Sequence, residues 1–452
     1  MNKNILLVNP WIADFAAYDL WAKPLGLLYI GKFLRSYEYK IGLLDLQHRK
    51  SWETEPEMGK YTHTGRGKYN KTKIPKPKLL KHVPRYYGLY GATPEQVENA
   101  LPDYNPDAIL VTSQMTYWYP GVKKTVEILR QYFPKKPIIL GGIYATLFPE
   151  QAWKTIQPDY LITGTGEKQV LKLLDNLFGI QRDHSDIPAF NDQGYLPWDL
   201  YENLDSVGIM TSRGCPYSCS FCATKQLHPQ FSMRSPQDVI DEIMHIYNRF
   251  NVKNFAFYDD ALFTNKENHI KPILKEIIDK GPGIKFHTPN GLFASQIDED
   301  LAQLMKKSGF KTVRLSLESS VDKWQKASSD KVSKQEFINA VHRLKKAGYK
   351  ARDIEVYLIM GLPGQKPEEV KKSLNFVYEN GAISRLASFT PIPGTVDWKR
   401  AIDNGYIDED IDPVLTNNTL HPCASADFPA DQFQKLRHYS NQLNNKVREQ
   451  YG

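Results

Sequence analysis

Short apolar runs alternate with amphipathic helical stretches along most of the chain, and the alternation comes in two successive series. Strands covered on both faces read as continuous apolar runs, and parallel neighbours need a helical crossover between them. The pattern therefore specifies an α/β architecture built on parallel sheets. In the first series the strand candidates are Ile5–Val8, Ile41–Leu44, Ala108–Val111, Ile138–Leu140 and Tyr160–Ile162, with helical stretches such as Val122–Tyr132 between them. This predicts a doubly wound parallel sheet over residues 1–180. The second series starts at Ser206 and offers Gly208–Thr211, Asn254–Tyr258, Lys285–Thr288, Thr312–Leu317, Glu355–Met360 and Leu386–Thr390. Helices fit between them, for instance Pro236–Phe250, Glu299–Ser308 and Lys334–Ala347. Six βα units in a row predict an open, partial (β/α)6 barrel over residues 206–400, with its working end where strands give way to loops. Residues 401–452 read as loop and helix.

The two series are joined by Gln181–Asp205, a proline- and acid-containing stretch with the composition of an interdomain linker. A long polar insertion, Lys50–Tyr90, interrupts the first series. It carries Arg66, Lys68, Lys71, Lys73, Lys76, Lys78, Lys81 and Arg85 among tyrosines and prolines. An insertion of that length inside a compact domain is functional or disordered. It reads as a solvated basic arm, or as a lid or partner contact. The net charge of +7 is mild for 452 residues and excludes little. No stretch nears the roughly 20 apolar residues of a membrane span. The apolar run after the N-terminus, Ile5–Val8, is too short for a signal peptide. A cytoplasmic protein with no membrane contact is expected.

Of four cysteines, Cys215, Cys219 and Cys222 fall within eight residues, directly after the first strand of the second series. A secreted disulfide scaffold would use more of them and space them out. Three thiolates at C-x3-C-x2-C spacing can hold three irons of a 4Fe-4S cluster and leave the fourth iron open to a chelating ligand. A structural zinc site wants four closed ligands, and only His228, at an unusual gap, could complete one here. Cys423 stands alone and reads as a structural thiol.

The segment Arg213-Gly214-Cys215-Pro216-Tyr217-Ser218-Cys219-Ser220-Phe221-Cys222 resembles the cluster loop of the radical S-adenosylmethionine (SAM) superfamily, with Phe221 at the family's aromatic position. The resemblance extends over residues 206–398. It implies that the amino and carboxylate groups of SAM chelate the open iron and that reductive cleavage yields a 5′-deoxyadenosyl radical. An electron donor such as flavodoxin or ferredoxin is implied as a partner. Tyr258-Asp259-Asp260 matches the strand end that takes the SAM amino group, a task suited to carboxylates. Ser316 and Glu318 fall in the Leu315–Ser319 segment, and Glu318 matches a SAM-contact position. Gly361, in Gly361-Leu362-Pro363-Gly364, matches the turn that passes the adenine and ribose, although a tight βα turn wants glycine in any case.

The first series resembles the cobalamin-binding domain fused to one branch of these enzymes. Ser113-Gln114-Met115 is similar to its S-x-L element, and Gly141-Gly142 to its paired glycines, with Gly164-x-Gly166-Glu167 at the domain's end. The histidine that this fold can offer to cobalt has no counterpart, since none precedes His48. Many radical relatives also lack it, so cobalamin remains implied as a cofactor. The same serine and glycines would equally suit a domain that keeps the fold and has lost the group. The aromatic run Met115–Tyr119 reads as packing, or as a wall against a corrin ring. The resemblance implies a cobalamin-dependent methyltransferase acting on an unactivated carbon of an unidentified substrate. The alternative is a radical SAM enzyme with a cofactor-free N-terminal domain that performs cyclisation, oxidation or tRNA modification. Nucleic acid is not expected as a partner, because the three extra N-terminal cysteines and the C-terminal β-barrel of methylthiolating relatives are missing.

Overall fold

The computed structural model describes residues 3–52, 65–184, 194–281, 283–328 and 330–451. Part of the basic insertion (53–64) and part of the linker (185–193) lie outside the described residues. The chain divides into two compact units, Met1–Asp205 with Asp412–Leu415, and Ser206–Ile411 with Thr416–Gly452.

The sheet of the first unit has five parallel strands: β1 (Asn4–Asn9), β2 (Lys40–Asp45), β3 (Ala108–Val111), β4 (Ile138–Leu140) and β5 (Tyr160–Leu161). Their order across the sheet is β5-β4-β3-β1-β2, with Ile5 opposite both Ile41 and Ala108. Alternate side chains feed opposite faces. Ile5 and Leu7 meet Leu27, Phe33 and Leu34 of helix α1 (Leu25–Arg35) and Val170, Leu171 and Leu174 of helix α2 (Glu167–Phe178). In this strand order the topology reverses between β1 and β3, and ligands of open α/β sheets bind beyond the carboxyl ends of the strands at such a point.

The second unit holds six parallel strands in sequence order: β6 (Ser206–Ile209), β7 (Asn254–Phe257), β8 (Lys285–His287), β9 (Phe310–Glu318), β10 (Ile354–Met360) and β11 (Ile383–Ser388). A short run, Leu292–Phe293, also pairs with β9. Among the described residues β6 and β11 do not pair, so the barrel is open. The spans of the two end strands differ from expectation. β6 begins before Gly208 because Ser206 pairs with Asn254, and β11 begins before Leu386 because Ile383 pairs with Glu355. Pairing registers, which local apolarity does not encode, decide these boundaries.

The basic insertion, read as a solvated arm or lid, acquires structure, and the C-terminal region holds helix as expected. The described part of the basic insertion forms an antiparallel ribbon, with Lys71–Lys73 against Gly88–Tyr90 and Gly88–Tyr90 against Ile12–Asp14. In the C-terminal region, helix α4 (Ala430–Tyr451) lies along the exposed edge of β11, with α3 (Val396–Asp403) preceding it in the chain.

Candidate active site and cofactor shelf

The cysteine loop leaves the carboxyl end of β6 and is closed at its base by an antiparallel pair, Ser212 opposite Met233 and Arg213 opposite Ser232. Cys215 is buried, Cys219 half-buried and Cys222 exposed. Neighbouring segments fix the loop. Ser220 N–H donates to the Ala327 carbonyl at 3.0 Å, and the Cys219 thiol meets the Ser328 carbonyl at 3.4 Å. On the other side the Ser220 hydroxyl donates to Asp397 of α3 at 2.6 Å, and Asp397 N–H returns a bond to the Ser220 carbonyl at 2.9 Å. Burial pushes the Cys215 thiol up to about 11. A bound iron would reverse that, since a coordinating thiol is deprotonated outright.

Among the described residues no group of three or more His, Cys, Asp or Glu converges as a single metal ion requires. Each cysteine of an iron–sulfur cubane serves its own iron. The donors fit the cluster: thiolates only, three in number, on a loop tied down at both flanks.

Asp259 and Asp260 follow β7 but take different parts. Asp259 is buried, and both its oxygens are engaged by the end of the first barrel strand. It accepts from Thr211 N–H at 3.0 and 3.1 Å, from the Thr211 hydroxyl at 2.7 Å and from the Ser212 hydroxyl at 2.6 Å. It therefore braces the root of the cysteine loop. Asp260 reaches solvent and receives only a long bond from Thr224, 3.5 Å, while Thr224 is 3.1 Å from the Cys222 sulfur. Desolvation, then the charge of Asp259, pushes the Asp260 carboxyl up to about 6. The backbone carbonyls of Tyr258 and Asp259 accept from Asn290.

Ser316 and Glu318 lie on one face of β9, with Arg314 below them, while Val313, Leu315 and Leu317 fill the other face. The register of β9 against β10 shifts between Ser316 and Glu318, and Glu318 takes a left-handed backbone, φ 63°. A bulge of this kind re-aims a side chain. Glu318 turns to Lys331 at 3.3 Å. The Lys331 ammonium stands 5.0 Å from the Phe293 ring centroid and 5.8 Å from that of Phe221. Burial opposes its charge, but Glu318 and the cysteine sulfurs outweigh burial and hold it above the usual lysine range.

Lys331 was not among the sequence-derived candidates, and neither was the network in which buried Arg314 and Glu355 meet half-buried Tyr357 and exposed Arg385. There Arg314 pairs with Glu355 at 2.9 Å and bonds Tyr357 at 3.1 Å. The period-2 alternation Arg314-Leu315-Ser316-Leu317-Glu318 could have revealed Arg314. No local pattern marks Lys331. Gly361 has a further packing role. A Cβ on it would lie 2.6 Å from the Phe433 ring of α4, so its glycine serves packing as well as its φ of +93°. Cys423 is buried and pushed up to about 12 by burial and then by Asp397, as an inert thiol should be.

In the first unit Ser113, Gly141 and Gly142 come together at the carboxyl ends of β3 and β4. The Ser113 hydroxyl donates to the Gly141 carbonyl at 2.7 Å and accepts from Ala145 N–H at 3.2 Å. Gly142, at φ +95°, lies so close that a Cβ would meet the Ser113 carbonyl at 2.3 Å. The outcome is a shelf floored by small residues, flanked by Met115, 46% exposed, and Ile143, 38% exposed. Exposed apolar side chains on a shelf at the ligand-binding edge fit the broad face of a corrinoid. The neighbouring aromatics do not face it freely. Trp118 donates to Asp14 at 2.7 Å, Tyr119 to Asp412 at 3.0 Å, and Tyr117 is buried. His48 is buried too, with Nδ1 2.7 Å from Ser51 and its ring against Tyr201, and burial pushes it down to about 2.

An open parallel barrel with a three-thiolate loop at its working edge, in one chain with a doubly wound sheet that carries a cofactor shelf, defines a class: SAM-cleaving iron–sulfur enzymes with a corrinoid-binding domain. The comparisons agree. The family model described as "Radical SAM superfamily" matches residues 209–377, and that described as "B12 binding domain" matches residues 85–174. The chain belongs to the radical SAM superfamily, in the branch with a B12-binding domain, and its cofactors are a 4Fe-4S cluster, SAM and cobalamin. It is 24% identical to the cytidylyl-2-hydroxyethylphosphonate methyltransferase of Streptomyces wedmorensis, over 90% of this chain and 83% of that protein. The fold is similar to that of the radical SAM methyltransferase TsrM from Kitasatospora setae, with a TM-score of 0.64 at 16% identity over 88% of this chain and 75% of that one. It is also similar to the cobalamin-dependent SAM radical enzyme OxsB, with a TM-score of 0.58 at 14% identity over 98% of this chain and 62% of that one. Among the described residues no helix is long and apolar enough to cross a membrane.

Proposed function

We propose that this enzyme transfers a methyl group through cobalamin to an unactivated carbon of its substrate. The observation that carries the reading is the pairing, in one chain, of a thiolate loop lacking a fourth ligand with a B12-binding sheet whose carboxyl edge exposes Met115 and Ile143. Its likeness to a phosphonate methyltransferase over most of both chains supports it. The cluster supplies the electron that cleaves SAM, and cobalamin supplies a carrier for the methyl group.

The chain's own residues bind, orient and shield. Cys215, Cys219 and Cys222 hold the cluster, and Phe221 with Phe293 screens it from water. Asp260, whose carboxyl is not engaged by the barrel, accepts from the SAM ammonium. Tyr258 and Asp259 shape that strand end, and Asp259 does so through the loop root. Glu318, set by Lys331, and Ser316 bond the nucleoside part of SAM, and Gly361 shapes the turn that passes it. Ser113, Gly141 and Gly142 let the cobalamin tail run close to the backbone. A small acidic one-electron donor of the flavodoxin or ferredoxin kind reduces the cluster, in a cytoplasm that keeps these thiols reduced.

The test uses full-length protein purified without oxygen, reconstituted with iron, sulfide and cobalamin, and supplied with methyl-deuterated SAM and dithionite. Retention of corrinoid absorption after desalting, with both 5′-deoxyadenosine and S-adenosylhomocysteine formed, is the expected result. Deoxyadenosine without S-adenosylhomocysteine or label transfer would remove methylation and leave ring closure or oxidation.

A further inference from the structure

The mild net charge of the chain is very unevenly placed. Residues 65–90 contain eight lysines and arginines and no aspartate or glutamate, while the remaining residues carry fifty basic against fifty-one acidic side chains. The whole excess is therefore on one segment. That segment is folded: Leu80, Val83, Tyr87 and Leu89 are buried, and the ribbon pairs hold it to Ile12–Asp14. Its cations are left outside, with Lys68, Lys71, Lys73, Lys78, Lys81 and Arg85 all exposed. Among the described residues no carboxylate pairs with Lys68, Lys73, Lys78 or Lys81. Desolvation, followed by the nearby Arg85, pushes the Lys71 ammonium down, with Asp14 opposing the shift.

Beside them stands Tyr86, 68% exposed, with the Lys73 ammonium 4.1 Å from its ring centroid. We propose that this ribbon is a binding surface for single-stranded RNA, the lysines following the phosphates and Tyr86 stacking on a base. Cations strung along an extended ribbon match a polymer of phosphates better than a small anion, which would want them converging on one point. Lysines act as point charges that position a backbone without reading sequence. An exposed ring among cations is the stacking platform of strand-binding proteins, and an acidic protein partner would have no use for it. The reading goes beyond methyl transfer, does not depend on it, and departs from the expectation of no nucleic-acid partner, which rested on missing cysteines and a missing β-barrel rather than on this ribbon.

The test is fluorescence anisotropy of a labelled oligouridylate titrated with full-length protein between about 50 and 200 mM salt, the range over which phosphate contacts weaken steeply. Saturable binding that weakens at least tenfold across that range is expected. The triple variant K73A/K78A/K81A should lower the log–log salt slope by about two, since each single-strand phosphate contact contributes about 0.7. Tyr86→Ala should weaken binding roughly tenfold at fixed salt through lost stacking. All these side chains are exposed, so reductive SAM cleavage by each variant should match the parent and report intact folding. No saturable binding at low salt, or a triple variant with an unchanged slope, overturns the proposal. So does displacement by polyglutamate as efficient as by unlabelled RNA with Tyr86→Ala silent, which would assign the ribbon to an acidic protein.

Discussion

Two adjacent aspartates after β7 illustrate how little residue type says about role. Asp259 takes the Thr211 N–H and the Thr211 and Ser212 hydroxyls on one oxygen and the Thr211 N–H again on the other, where an asparagine would set a buried amide NH2 against that N–H. Asp259→Asn should therefore cost about 1–3 kcal/mol of stability, the penalty for a stranded buried donor, read from urea denaturation. Asp260→Asn should leave folding intact and weaken SAM binding, measured by the change that SAM causes in the spectrum of the reduced cluster. The pH dependence separates them further. The Asp260 carboxyl ionises near 3.8 in the unfolded chain and at about 6 in the folded one. The folded protein thus keeps that proton longer, and the contribution to stability is complete below about 4 and is lost as pH rises through about 6. The stability curve of Asp260→Asn should be flatter over that window. An unchanged curve would show that Asp260 does not face the desolvated site.

At the scale of elements, the last helix does the work of a missing strand. β11 is a sheet edge, and exposed edges recruit unwanted partners unless they are covered. Asn444 of α4 accepts from Ser384 N–H at 2.9 Å and donates to the Ser384 carbonyl at 2.9 Å, as a neighbouring strand would. Ser440 adds a bond to the Ser384 hydroxyl at 2.8 Å. The same helix brings Phe433 against Gly361. Asn444→Ala leaves two buried backbone groups unpaired and should destabilise the protein by about 1–3 kcal/mol. Hydrogen exchange should quicken at Ser384, and equal protection in both proteins would remove α4 from this role.

For the whole molecule, each unit has its own apolar interior. Ile5, Leu7 and Leu110 lie at the centre of one core, and Phe255, Phe286 and Val356 are buried in the other. Iron chelation should consequently abolish SAM cleavage while leaving the far-UV circular dichroism spectrum unchanged. A collapse of helical signal on chelation would mean that the cluster is a structural brace for the barrel.

What the sequence determined by itself was whatever depends on local chemistry. The apolar period set the two series of parallel strands, and the spacing of Cys215, Cys219 and Cys222 set the cluster chemistry. Tertiary structure decided what depends on register and on distant partners. The bulge at Glu318 and its contact with Lys331 arise because β9 slips against β10, and the separation of Asp259 from Asp260 depends on where Thr211 ends. The ribbon was legible as a run of charges, but only folding showed that its apolar residues turn inward and leave the cations together outside. Strand pairing and burial are long-range properties, and no window of sequence contains both partners of such a contact.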